Sequence, residues 1–134
     1  MKPARVDHTA IVVADMDSAI ARWQTMTGAR ISTRQLVADQ RVEIAMLELG
    51  DTNIELIRPI DDTSGVARFL RTRGESLHHI GLETEDIKAS ILELIEQGMR
   101  FIDSEPRHGA HGLIAFLHPR STGGVLIELI QLDS

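Results

Sequence analysis

Polar and apolar side chains alternate over residues 6–13, which puts Thr9, Ile11 and Val13 on one face of a strand and His8, Ala10 and Val12 on the other. The spacing then lengthens to that of a helix. Met16, Ile20, Trp23 and Thr27 follow Asp15, a suitable N-cap, and the run stops at Gly28. Residues 29–37, 41–49 and 53–58 read as three further strands, with the hairpin chemistry of Gly50-Asp51-Thr52 between the last two. In a linker over residues 60–76, Ser64 caps a short helix over 65–72 whose apolar residues are Val66, Phe69 and Leu70. The same order then returns as a strand over 77–83, a helix over 87–97, and strands over 99–103, 113–117 and 124–130. The pattern predicts an α+β fold of two βαβββ repeats, about residues 5–59 and 77–131, in one domain spanning 1–134. A helix covers only one face of each small sheet, so the repeats are expected to pair into a curved, cup-like mixed sheet.

The repetition extends to polar residues. His8 is followed seven residues later by Asp15, and His79 seven residues later by Asp86. Met16, Ile20 and Trp23 keep the same offsets from His8 as Ile87, Ile91 and Leu94 keep from His79. Glu55 lies 47 residues after His8, and Glu128 lies 49 after His79. Each half thus carries one histidine and one glutamate in matching strands, on the face turned away from the helix. Two imidazoles with two carboxylates suit a divalent metal. Using His78 in place of His79 would break the seven-residue spacing, so His78 reads as a structural neighbour.

Composition removes other classes. At 134 residues the chain is long enough to bury roughly two thirds of its unfolded surface. Its net charge of −6, with both signs mixed, provides no basic stripe for nucleic acid. The lack of cysteine removes disulfides and thiolate ligands, and no apolar run approaches the roughly 20 residues of a membrane helix. Met1-Lys2-Pro3-Ala4-Arg5-Val6 leads into the first strand without an apolar signal segment, so the cytoplasm is the expected location.

Four stretches carry a resemblance: Asp7-His8-Thr9-Ala10-Ile11, Leu77-His78-His79-Ile80, the loop from Asp103-Ser104-Glu105-Pro106-Arg107 to Gly112, and Phe116-Leu117-His118-Pro119-Arg120 through Ile127-Glu128-Leu129. They resemble the vicinal oxygen chelate superfamily, which contains glyoxalase I and the bleomycin resistance proteins, and within it the methylmalonyl-CoA epimerase family. The resemblance implies interconversion of 2R- and 2S-methylmalonyl-CoA through a metal-stabilised enolate, with a small acyl-CoA as substrate and a homodimer as the usual assembly. By carry-over it implies His8, Glu55, His79 and Glu128 as ligands of a divalent ion, cobalt first, with manganese, nickel, zinc or magnesium as substitutes. It makes Glu128 a base on one face of the substrate. The position of a second catalytic glutamate in some members is Ile44 here, with Glu43 one residue away. A one-residue shift turns a side chain to the opposite face, so Glu43 serves as second base only if a bulge corrects the register, and otherwise that role falls to Glu55.

Two other functions fit the same residues. A lactoylglutathione lyase like glyoxalase I would use an equivalent four-ligand site. A metal-free binding or resistance protein would need an aromatic groove, for which Trp23 and three phenylalanines are a poor supply. Arg34, Arg41, Arg58, Arg107 and Arg120 are candidate partners for coenzyme A phosphates.

Overall fold

The computed structural model describes residues 4–134; residues 1–3, part of the N-terminal stretch considered for a signal segment, lie outside the described residues. Among the described residues two compact units are present, residues 8–78 and residues 79–134 with residues 4–7; each boundary falls inside the first strand of a repeat, whose first three residues belong to the other unit. The chain builds βαβββ in each repeat, in an α+β arrangement.

In the first unit the strands are β1 (Arg5–Val12), β2 (Arg30–Val37), β3 (Val42–Leu49) and β4 (Thr52–Pro59), in the order β2-β3-β4-β1. Strand β1 runs parallel to β4, and the other pairings are antiparallel. Helix α1 (Met16–Thr27) starts where the Asp15 carboxylate accepts the Ser18 N–H and ends where Gly28 takes the left-handed conformation, at φ 70°. Its apolar side, Met16, Ala19 and Ile20, packs on Val13, Ala45, Leu47, Ile54 and Leu56. These are the odd positions of β3 and the even ones of β4, which face the helix together because Leu47 pairs with Ile54 and Ala45 with Leu56. The β3–β4 turn is Gly50-Asp51, with Gly50 at φ 67°. Helix α2 (Gly65–Arg73) begins with the Ser64 hydroxyl accepting the Ala67 N–H.

The second unit contains β5 (Ser76–Glu83), α3 (Ile87–Glu96), β6 (Arg107–His108), β7 (Gly112–Phe116) and β8 (Ile127–Leu132), with the strands ordered β5-β8-β7-β6. Asp86 caps α3 by accepting the Ala89 N–H. Ile87 and Ile91 pack on Ala115, Leu117 and Leu129. Two strand boundaries differ from the sequence pattern. The strand expected over 99–103 is reduced to a bridge between Phe101 and Leu117. There the Asp103 carboxylate accepts the Phe116 N–H at 2.7 Å, taking a bond that a backbone carbonyl would otherwise accept. The short β6 lies beyond Pro106 instead. Strand β8 starts at Ile127 rather than residue 124, because Gly123 and Gly124 both have positive φ in the preceding turn.

Gly112 sits where two strands pass too closely for any side chain: a Cβ there would lie 2.1 Å from the Gln131 carbonyl oxygen. Gly112→Ala is therefore expected to cost more than about 3 kcal/mol in urea unfolding, whereas Gly109→Ala, which meets only the flexible Ile114 side chain, should cost less than about 1 kcal/mol. Equal losses at the two positions would show that β7 can move away from β8 freely.

Candidate metal centre and active site

In the first unit the face opposite α1 carries the chemistry. His8 pairs with Asn53 and Ala10 with Glu55 in the parallel β1–β4 ladder, so side-chain alternation puts His8 and Glu55 on the same face. Glu55 Oε1 lies 4.0 Å from His8 Nε2. Both are buried, at 6% and 1% exposure, and the buried Ala10, Val12, Ile44 and Ile57 share their face of the sheet.

Glu43 is on the other face. The β3–β4 register runs unbroken from Val42–Pro59 to Leu49–Thr52; the irregularity in this unit lies between Ile31 and Thr33, in the β2–β3 pairing. Ile44 and Met46 therefore share the face of Glu55, while Glu43 joins Ala45 and Leu47 on the α1 side. It is held there by Arg34 Nε and Arg58 Nε, each 3.0 Å from one carboxylate oxygen, and Arg34 also reaches Asp17 on α1 at 2.7 Å. Partial burial raises the pKa of Glu43, but the hydrogen bonds and positive charges of Arg34 and Arg58 outweigh it and hold the carboxyl below its ordinary value.

The second unit repeats the arrangement. Gly81 pairs with Glu128 in the parallel β5–β8 ladder, which places His79, two residues earlier, on the face of Glu128. Glu128 Oε2 lies 3.5 Å from His79 Nε2, and both are buried. Phe116 pairs with Glu128 across β7–β8, and its ring stands edge-on to the His79 imidazole, with centroids 5.3 Å apart. Neither this aromatic wall nor the contact of Arg107 with it was evident in the sequence. They emerge only from the β7–β8 register, which sets Phe116 beside Glu128.

The remaining histidines have other surroundings. His78 faces away from His79 and meets the Phe69 ring of α2 edge-on, with centroids 4.8 Å apart. Burial, and then the charge of Arg73, lower its pKa. His118 Nδ1 accepts the Arg120 N–H at the start of a 3₁₀ turn, and His108 is exposed on β6.

Each unit thus supplies one imidazole nitrogen and one carboxylate oxygen with no thiolate. Two atoms bound to one first-row divalent ion at roughly 2.1 Å stand roughly 3–3.5 Å apart. The His79–Glu128 pair has that span, and the His8–Glu55 pair is slightly wider. The donor set and its spacing fit a divalent ion.

The lowered pKa of Glu43 determines how its ion pairs respond to pH. A carboxyl held below its ordinary value of 4.5 contributes stability that is complete above that pH and is lost as the pH falls through the folded-state value. Glu43→Gln should therefore be less stable than the parent chain at neutral pH, and thermal melts should converge as the pH drops below that value. A stability gap that persisted unchanged in acid would rule out the two arginines as its cause.

Comparison with known proteins agrees with the geometry. The family model of the Glyoxalase/Bleomycin resistance protein/Dioxygenase superfamily matches residues 7–117. The ethylmalonyl-CoA/methylmalonyl-CoA epimerase of Cereibacter sphaeroides is 39% identical over 131 residues, covering 96% of this chain and 98% of the relative. The human mitochondrial methylmalonyl-CoA epimerase is 36% identical over 129 residues, covering 95% of this chain and 73% of the relative. A solved methylmalonyl-CoA epimerase in complex with methylmalonyl-CoA and an ammonium ion superposes with a TM-score of 0.90 at 31% identity, covering 99% of this chain and 97% of that one. Family model, full-length relatives and repeated strand register converge, and the chain belongs to the Glyoxalase/Bleomycin resistance protein/Dioxygenase superfamily and, within it, to the methylmalonyl-CoA epimerase family.

Proposed function

We propose that this chain is a metal-dependent epimerase interconverting 2R- and 2S-methylmalonyl-CoA by moving the proton at C2. The observation that carries the reading is its relationship, along nearly its whole length, to enzymes that perform this epimerisation. The buried His–Glu pair in each unit supplies the chemistry.

The C2 proton lies between a thioester carbonyl and a carboxylate and is already acidified. Epimerisation needs a base to remove it on one face and an acid to return it on the other. His8, Glu55, His79 and Glu128 are proposed to hold one divalent ion, with cobalt as the first to test and manganese, nickel, zinc and magnesium as alternatives. When bound, such an ion supplies positive charge that stabilises the enolate. Glu128 takes the proton on one face, and Glu55 is the proposed partner on the other. Glu55 gives its proton to the enolate as Glu128 takes one, and in the reverse direction the two exchange roles, so protons balance and no redox cofactor is needed. Glu43 is the weaker candidate for second base: its carboxylate is on the α1 side of the sheet and already accepts from two arginines. The residues are proposed to act as one domain.

Assembly as a homodimer, which the family resemblance implies, belongs to the same proposal. No helix among the described residues is long and apolar enough to cross a membrane.

Proton NMR of methylmalonyl-CoA in heavy water tests the reading. The cobalt-loaded protein should erase the C2 proton signal, and the metal-stripped protein should leave it at the rate of the buffer. Glu55→Gln is expected to slow exchange by about 10²-fold or more, and Glu43→Gln by much less, since general acid–base groups contribute on that scale. No exchange above the buffer rate with any of the metals would exclude epimerase activity, and a larger loss at Glu43 than at Glu55 would reassign the second base.

A further inference from the structure

Arg107 stands apart from the chain's other candidate anion-binding arginines because of the face it occupies. Within the second unit, Arg107 pairs with Ile114 across β6–β7, Ile114 with Ile130 and Phe116 with Glu128 across β7–β8. Alternation puts all of these on the face of His79 and Glu128, opposite the α3 core. By contrast, Arg34 and Arg58 are tied to Glu43 on the α1 side of the first unit, and Arg41 reaches Thr63 and Asp61.

The Arg107 side chain is held in place from two sides. Asp103 accepts from its Nε at 3.3 Å while also accepting the Phe116 N–H at 2.7 Å, so one carboxylate fixes both the arginine and the strand beside it. The guanidinium carbon lies 5.9 Å from the Phe116 ring centroid, and that ring is the one set edge-on to His79. Among the described residues only Nε is engaged in a hydrogen bond. The two terminal nitrogens form the planar fork that matches a carboxylate. The side chain is half-exposed, which leaves the fork accessible to a small molecule.

We propose that Arg107 receives the free carboxylate of the acyl group and so selects thioesters that carry one. This rests on the epimerase reading and deepens it. An arginine one aromatic ring from His79 is close to the reacting end of the substrate, whereas the phosphates of coenzyme A are at the far end of its pantetheine arm. The charge argument points the same way. Removing the C2 proton from a malonyl-type thioester converts a monoanion to a dianion, and a fixed guanidinium on the carboxylate offsets the repulsion that opposes this step. Asp103 acts as a positioning residue, holding the fork towards the face of Glu128.

Titration calorimetry of the metal-loaded protein with malonyl-CoA, propionyl-CoA and coenzyme A separates the carboxylate from the phosphates. The parent chain should bind malonyl-CoA more tightly than propionyl-CoA. Arg107→Ala should lose about tenfold or more in malonyl-CoA affinity while propionyl-CoA and coenzyme A stay within about twofold, and Arg107→Lys should recover part of the loss. An equal loss for all three ligands would overturn the proposal in favour of a phosphate contact or a structural role, and no loss for any would overturn it outright. If the parent chain showed this preference but exchanged no C2 proton, the epimerase reading would fail while the carboxylate site stood.

Discussion

In both units a helix seals one face of the sheet, and the two-residue period of the strands then decides which polar side chains are left on the other. In the first, α1 covers Ala45, Leu47, Ile54 and Leu56, so His8 and Glu55 must share the opposite face; in the second, α3 covers Ala115, Leu117 and Leu129, so His79 and Glu128 must. The same period removes Glu43, although it is only one residue from the position where some family members keep a glutamate. A bulge opposite Glu43 would have reversed that outcome, and the β3–β4 register contains none.

Burying a carboxylate beside an imidazole is costly unless something compensates the charge. Glu43 solves the problem with two arginines, and its lowered pKa follows from them. Glu55 and Glu128 are buried more deeply, each facing a histidine at 3.5–4.0 Å. A divalent ion held by these residues, as proposed above, would bring compensating positive charge to both carboxylates without long basic side chains. Phe116 adds a rigid apolar wall beside His79, and a drier surrounding strengthens any charge interaction made there.

Much of this was legible in the sequence because it depends on local period and spacing. Asp15, Ser64 and Gly28 marked helix ends that the structure shows, and the matching offsets of His8 and His79 exposed the repeat before any geometry. The failures came where a side chain replaced a backbone partner. Residues 99–103 have the composition of a strand, but the Asp103 carboxylate takes a ladder bond and the strand shrinks to a bridge. The setting of Arg107 was hidden for a different reason: five arginines looked equivalent until strand register put Arg34 and Arg58 on the helix side and Arg107 beside Phe116, with Arg41 and Arg120 in turns outside the strands.

The central claim is that two histidines and two glutamates, one pair from each repeat, serve a single ion. Metal content of purified His8→Ala and His79→Ala, measured by elemental analysis after equilibration with cobalt and checked for folding by circular dichroism, tests it most directly. One ion per chain in the parent and near-complete loss in either variant is the predicted result. Full retention in both folded variants, or loss in one alone, would contradict it.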